Sequence, residues 1–258
     1  MKKPKFSIFT PVHIWNEDRA KWLLRAIESI KNQTYKNYEL IIINDGSTLE
    51  VDIPHYDWIK LLNQTHQERV VAYNYGFREA TGDWFSCLDS DDEYRPTYLQ
   101  ECVNFIHGSP EYKMFNFGCK YIHKDGTEAT RDAFCPPEAP VGHAVFGGGN
   151  IVNGTFIWHR SIYGDLGGFP DSGVEVNVPW YRPGSLFMGS PYDFSAWAQA
   201  TYPEIQEFFM TKHSDHPAGL PKELGNPWGQ DYLLFYKYTR KYHCKPMLDK
   251  YLYWVHPR

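Results

Sequence analysis

The stretch "YELIIIN" at residues 38–44 decides the fold class, because it is a nearly continuous apolar run that stops at the turn signal "NDGS". Such a run is expected of a strand that is covered on both faces, as the strands of a parallel sheet are. Further strand-like runs lie at 5–10, 58–63 and 83–88, and helical segments at 19–32, 68–80 and 96–107. This alternation predicts an open, mostly parallel α/β sheet whose ligands bind at the carboxyl ends of its strands.

The composition excludes several other classes of protein. The chain is 42% apolar and 22% charged, and its net charge of −5 without a basic run argues against nucleic-acid binding. No apolar run reaches the length of a membrane span, and the one that follows the N-terminal lysines is too short for a signal peptide. The 5 cysteines are scattered and form no CxxC pair, which favours reduced thiols and a cytoplasmic location.

The second half of the chain is less regular. The segment 113–130 predicts a hairpin with Asp125 and Gly126 at its turn. Residues 170–227 are rich in Pro, Gly, Trp and Tyr, which is typical of a lid-like insertion. Helical periodicity returns in "WGQDYLLFYKYTRKY" at 228–242.

An acidic cluster follows the apolar run at 83–88. If that run is an extended strand, alternation places Asp89 and Asp91 on one side and Asp92 on the other. Two carboxylates on one side suit Mg²⁺ or Mn²⁺ held jointly with the phosphates of a ligand. The alternative is a solvated turn that caps the next helix, and the cluster by itself is compatible with both.

A second polar loop, "NDGS", follows the run at 38–44. Its Asp45 could accept hydrogen bonds from a base or a ribose, or the segment could be a simple turn. Because parallel strands end at the same edge of a sheet, two acidic loops there favour a ligand site.

The ordered segments "FSIFTPV", "NQTYKNYELIIINDGST", "RVVAYNYGFREATGDWFSCLDSDD", "LGGFPD" and "GQDYLL" resemble the family 2 glycosyltransferases of the nucleotide-sugar-dependent GT-A fold. The resemblance covers most of residues 5–170 and resumes at 228–240. It implies one GT-A domain over 1–258. The expected parts are a nucleotide-binding half at 1–110 and an acceptor-binding half at 111–258 that contains the insertion 170–227.

The resemblance also implies the donor site. "DSD" at Asp89, Ser90 and Asp91 matches the DXD motif of the family, whose acids hold Mn²⁺ or Mg²⁺ and the ribose or diphosphate. In this alignment Asp92 is peripheral. The other implied donor-site residues are Thr10, Pro11 and His13 beside the base, Asp45 at the uracil-contacting position and Arg69 near the nucleotide.

Two more residues come from the C-terminal part of the resemblance. "GQDY" matches the "ED" helix start of the family, with Gln230 where Glu is usual, and places Asp231 at the position of the catalytic base. The alternative for Asp231 is an N-terminal helix cap. The tail "YLYWVHPR" resembles the "YRxH" tail, so His256 is expected to join the metal or the diphosphate, although Trp254 replaces the basic residue; a core or surface histidine is the alternative.

The implied activity is metal-dependent, inverting transfer of a hexose from UDP-glucose or a related UDP-sugar to an acceptor hydroxyl. A divalent cation neutralises the leaving diphosphate, and one carboxylate base removes the acceptor proton in a single displacement. The alternatives are a non-catalytic nucleotide-sugar-binding protein and a nucleotidyltransferase. The latter is expected to carry a Gly-rich, basic phosphate loop after the first strand, and "TPVHIWN" has none.

Overall fold

The computed structural model describes residues 3–67, 69–131, 153–168, 238, 241–242 and 244–257 of the 258-residue chain. Its elements are, in order, β1 (Phe6–Val12), α1 (Glu17–Lys31), β2 (Tyr38–Asp45), β3 (Ile59–Gln64), α2 (Arg69–Glu79), β4 (Trp84–Cys87), β5 (Glu93–Tyr94), α3 (Tyr98–Gly108), β6 (Met114–Ile122), β7 (Glu128–Arg131), β8 (Phe156–His159), α4 (Arg160–Leu166) and β9 (Cys244–Val255). No helix in these ranges is long and apolar enough to cross a membrane.

The described strands form one sheet in the order β3-β2-β1-β4-β8-β6-β9-β5, with β7 paired to β6. Strands β1 to β4 pair in parallel. The second half of the sheet is mixed, because β8 runs antiparallel to β4 and β6, whereas β9 runs parallel to β6. The predicted α/β class is therefore confirmed. Crossovers that contain α1 and α2 join β1 to β2 and β3 to β4, whereas the segment 46–58 joins β2 to β3 without a helix.

Both faces of the parallel strands are buried, as the apolar runs predicted. On one face Phe9 packs edge-to-face against Phe77 of α2 and Phe85 of β4, with ring centroids 4.7 and 5.1 Å apart. Helix α1 covers the other face with an apolar stripe that includes Leu23. This helix begins two residues before the predicted start, because the Asn16 side chain accepts a hydrogen bond from the backbone of its first turn.

Strand β1 continues through Pro11, beyond the strand-like run that the sequence predicted at 5–10. The carbonyl of Phe9 accepts from the backbone N–H of Leu88, so the nitrogen of Pro11, two residues on, faces the same β4 side. Strand β4 has ended there at Cys87, so the missing N–H of proline breaks no pairing. β1 therefore projects beyond β4 at the carboxyl edge of the sheet.

The predicted hairpin is confirmed. Strands β6 and β7 pair antiparallel, and Gly126 at their turn has a φ of +81°, a left-handed conformation that favours glycine. The lid-like insertion 170–227 lies outside the described residues, as does most of the helical segment 228–242.

Candidate active site

The carboxyl ends of β1, β2 and β4 border a cleft of about 630 Å³. Of the residues predicted for the donor and metal sites, Pro11, His13, Asp45, Arg69, Asp89, Ser90 and Asp91 line it. Thr10 is buried in β1 and is not in the lining. Asp231 lies outside the described residues.

The acid loop, residues 89–92, is a tight turn. The backbone N–H of Asp92 donates to the carbonyl of Asp89 at 3.0 Å, and this hydrogen bond closes a turn shortly after the end of β4. Carboxylate oxygens of Asp89, Asp91 and Asp92 consequently lie within 4.8 Å of one another. The prediction that Asp92 lies on the opposite side from Asp89 and Asp91 is therefore wrong, because strand alternation does not extend into a turn.

Asp92 is the buried member of the cluster, with 3% of its surface exposed. Burial, and then the charges of Asp89 and Asp91, raise the pKa of Asp92 to about 8. Hydrogen bonds from the His256 backbone N–H and the Tyr253 hydroxyl act in the opposite direction on this pKa. Without a cation, burial and the neighbouring charges therefore favour the protonated form of Asp92.

The cluster fits a divalent cation. Three acidic side chains within this span offer the hard oxygen donors that Mg²⁺ and Mn²⁺ prefer, and the charge of a cation would offset the burial and the neighbouring charges that raise the pKa of Asp92. Asp89 also accepts from the Tyr73 hydroxyl at 3.3 Å and lies 3.8 Å from Nη1 of Arg69. Arg69 therefore places positive charge at the same edge of the cleft, where an anionic ligand would be attracted.

His256 contacts the last residue of the acid loop and the residue that follows it. Its backbone N–H donates to Oδ1 of Asp92 at 3.1 Å, and its Nε2 lies 2.7 Å from Oε1 of Glu93. The same Glu93 oxygen lies 3.1 Å from Nε of Arg25, which comes from α1. The ring of His256 thus contacts Glu93 in this structure, and its proposed place beside the metal stays a prediction.

Asp45 is a buried carboxylate at the end of β2. Its Oδ1 accepts from Nε2 of Gln64 at 2.7 Å and from the backbone N–H of Gln67 at 2.8 Å. Nδ1 of His66 lies 3.0 Å from Oδ2. A carboxylate offers about four acceptor positions, so Asp45 is firmly held and can still accept a hydrogen bond from a ligand.

The sequence analysis named His13 but missed His66 and several other cleft residues. His13 stacks on His66 with ring centroids 4.1 Å apart, and Nδ1 of each ring lies within 3.0 Å of the backbone carbonyl of Asp45. This imidazole pair, His13 and His66, joins the loops after β1 and β3. The other residues that were missed are Val12, Trp15, Arg19 and Gln67, and the Arg19 guanidinium lies 3.4 Å over the Trp15 ring.

One residue in the sequence indicated the contact between the loops after β2 and β3, namely the glycine of "NDGS". Gly46 has a φ of +66°, and a Cβ there would lie 2.6 Å from the backbone nitrogen of His66. Glycine therefore allows the loop after β2 and the loop after β3 to touch.

The comparisons with known proteins agree with this geometry. Residues 7–133 match the family described as Glycosyl transferase family 2. EpsE of Bacillus subtilis, which is named as a glycosyltransferase, is 31% identical over 174 residues, which are 64% of this chain and 60% of EpsE. An uncharacterized glycosyltransferase of Rickettsia felis is 34% identical over 130 residues, which are 46% of this chain and 21% of that protein. The chain thus spans about three fifths of the first relative and about one fifth of the second.

Solved structures share the fold. The crystal structure of S. aureus TarS 1-349 superimposes with a TM-score of 0.60 at 15% identity, over 98% of this chain and 60% of TarS. The TarS structure in complex with UDP-GlcNAc gives a TM-score of 0.61 at 15% identity, over 98% of this chain and 59% of that one. At this identity the likeness concerns the fold, and it agrees with the predicted GT-A class. The sequence matches lead to one conclusion: residues 7–133, about half of the chain, belong to glycosyl transferase family 2.

Proposed function

We propose that this protein is a metal-dependent, inverting glycosyltransferase that moves a hexose from UDP-glucose or a related UDP-sugar to an acceptor hydroxyl. The observation that carries the proposal is the convergence of Asp89 and Asp91 with Asp45 and Arg69 at one cleft, with the buried Asp92 clustered against the first two. The TarS structures in complex with UDP-GlcNAc and with UDP support a nucleotide sugar as the donor class.

The cleft has a suitable group for each part of such a donor. The imidazole pair offers flat ring surfaces for a base, and Asp45 offers an acceptor for the N–H of uracil. Arg69 offers a guanidinium to the diphosphate. In this proposal Asp89, Asp91 and Asp92 hold Mn²⁺ or Mg²⁺, which as a Lewis acid neutralises the charge of the leaving diphosphate.

Asp231 is the proposed general base. Its carboxylate takes the proton of the acceptor hydroxyl while that oxygen attacks the anomeric carbon and the bond to the diphosphate breaks. One displacement inverts the anomeric configuration, and no covalent intermediate on the protein is needed. The match of "GQDY" to the family supports this assignment, as it supports an acceptor-binding half at 111–258 with a lid-like insertion at 170–227.

Turnover of a donor panel tests the proposal. The protein is incubated with UDP-, GDP- and TDP-sugars in Mn²⁺ or in EDTA, and release of the nucleoside diphosphate is followed. We expect slow, Mn²⁺-dependent release from a UDP-hexose, faster when an acceptor is present. Equal release in EDTA would exclude the metal-dependent mechanism.

Two variants separate binding from transfer. Asp91→Ala should lose Mn²⁺-dependent UDP binding in calorimetry, whereas Asp231→Asn should bind UDP and fail to transfer. Asp125→Asn is the matched control, because Asp125 lies in the exposed turn of the β6–β7 hairpin, away from the cleft. Transfer by Asp231→Asn at the wild-type rate would show that the base is assigned wrongly.

A further inference from the structure

Tyr253 contacts the acid loop from the C-terminal strand β9. Its ring is fully buried, and its hydroxyl accepts a hydrogen bond from the backbone N–H of Asp89 at 3.1 Å. The same hydroxyl hydrogen bonds to the carboxylate of Asp92. A phenol can accept one hydrogen bond and donate another, so a single oxygen atom joins the first and the last residue of the turn.

The position of this phenol is fixed from several sides. Tyr253 pairs with Tyr94 across the β5–β9 ladder, and the two rings meet edge-to-face with centroids 5.7 Å apart. A Cβ at Gly154 would lie 1.8 Å from the Tyr253 ring, so only glycine leaves room for the ring there. The hydroxyl is therefore held at a defined point rather than reaching the loop by chance.

The acid loop needs such a restraint. Its three acidic groups lie within 4.8 Å of one another, and in the absence of a cation the repulsion between the Asp89 and Asp91 carboxylates favours an opened turn. The backbone bond between Asp92 and Asp89 closes the turn from within, and Tyr253 adds a bond from a separate strand.

We propose that Tyr253 is a positioning residue, which holds the acid loop in the closed turn that lets Asp89, Asp91 and Asp92 bind one divalent cation. The part of this proposal that concerns cation binding rests on the proposed function, whereas the part that concerns the conformation of the loop does not. Partners that orient metal ligands typically change metal affinity by about 10- to 100-fold when they are removed.

The test compares Tyr253→Phe with Tyr98→Phe. Both tyrosines are fully buried in the same core, and the hydroxyl of Tyr98 contacts Ser86 at 2.6 Å and donates to the carbonyl of Gly154 at 3.0 Å. Both variants remove one buried hydroxyl, but only Tyr253→Phe removes the contact with Asp89. Two quantities are measured: amide hydrogen exchange across residues 88–92 in EDTA, and Mn²⁺ affinity in the presence of UDP, from the electron paramagnetic resonance signal of free Mn²⁺.

We expect Tyr253→Phe to speed exchange of the Asp89 amide about fivefold or more, which corresponds to the loss of one hydrogen bond. Mn²⁺ affinity should fall at least about tenfold. Tyr98→Phe should keep both quantities at their wild-type values. Wild-type Mn²⁺ affinity in Tyr253→Phe, or an equal loss in Tyr98→Phe, would overturn the proposal.

Hydrogen exchange of the metal-free wild-type protein provides a further test that needs no variant. Its Asp89 amide should be protected although it follows the end of β4, and exchange at the rate of an unprotected amide would refute the contact on which the proposal depends. If the wild type binds no Mn²⁺ with UDP, the proposed function fails, while the exchange measurements still decide whether Tyr253 holds the loop.

Discussion

Replacing Asp92 by Asn should change how the stability of the metal-free protein depends on pH. Burial and the neighbouring charges of Asp89 and Asp91 raise the pKa of Asp92 to about 8 in the folded protein, whereas an unfolded chain has an Asp pKa of about 3.9. Between these values the folded state binds the extra proton. Asp92 therefore adds to the free energy of unfolding in full below about pH 4. This stabilising contribution is lost as the pH rises toward 8.

The magnitude follows from the two pKa values. Each pH unit in this window changes the free energy of unfolding by up to about 1.4 kcal/mol, so the wild type should lose up to about 4 kcal/mol through Asp92 between pH 5 and pH 8. Asn is neutral throughout, and its amide oxygen can still accept from the backbone N–H of His256. Asp92→Asn should therefore be more stable than the wild type at pH 8, and the difference should shrink toward pH 5.

Urea unfolding in EDTA at pH 5, 6.5 and 8 measures this difference. Asp91→Asn is the control, because it removes one neighbouring charge but leaves the burial of Asp92, the largest cause of its raised pKa. It should keep most of the wild-type pH dependence. Parallel stability curves for the wild type and Asp92→Asn would refute the reasoning.

Three further predictions follow from the described contacts. Mn²⁺ affinity should fall by up to about tenfold per pH unit from pH 8 to pH 6, because Asp92 must lose its proton to bind the metal. Calorimetry in two buffers of different ionisation enthalpy measures the protons released on binding, and a release of none would contradict this prediction. His66→Ala should weaken UDP binding about tenfold in calorimetry, because it removes a ring stacked on His13, and unchanged affinity would exclude the imidazole pair from the base site. Glu39→Gln should lower the free energy of unfolding at pH 7 by about 2 kcal/mol, because the Glu39 carboxylate accepts from Ser7 and other donors. Burial raises the pKa of Glu39, but these hydrogen bonds outweigh burial and lower that pKa. The loss of stability in Glu39→Gln should therefore fade as the pH falls below about 4. An undiminished loss of stability in urea unfolding at pH 3 would contradict this prediction.

Hydrophobic periodicity was enough to predict the first half of the fold. The elements β1, α1, β2, β3, α2 and β4 lie within two residues of their predicted bounds, because their apolar positions are the ones that the sheet and its helices bury. The beginning of α3 was less accurate. Pro96 was placed in its first turn, but the helix begins at Tyr98, after an N-cap at Thr97.

The sequence by itself indicated the fold class, the family resemblance and the edge of the sheet where the cleft lies, because alternating apolar runs and helices predict parallel strands and because parallel strands end at one edge. It also placed Asp45, Asp89 and Asp91 at that edge.

Only the tertiary structure decided which side chains meet there. The turn that returns Asp92 to Asp89, the stacking of His66 on His13 and the reach of Tyr253 to the acid loop all join residues through backbone angles and contacts that no local period encodes. Tyr253 is 164 residues from Asp89, and the two meet because β9 pairs with β5 beside the loop. Long-range strand pairing places such contacts, and it depends on the packing of the whole sheet.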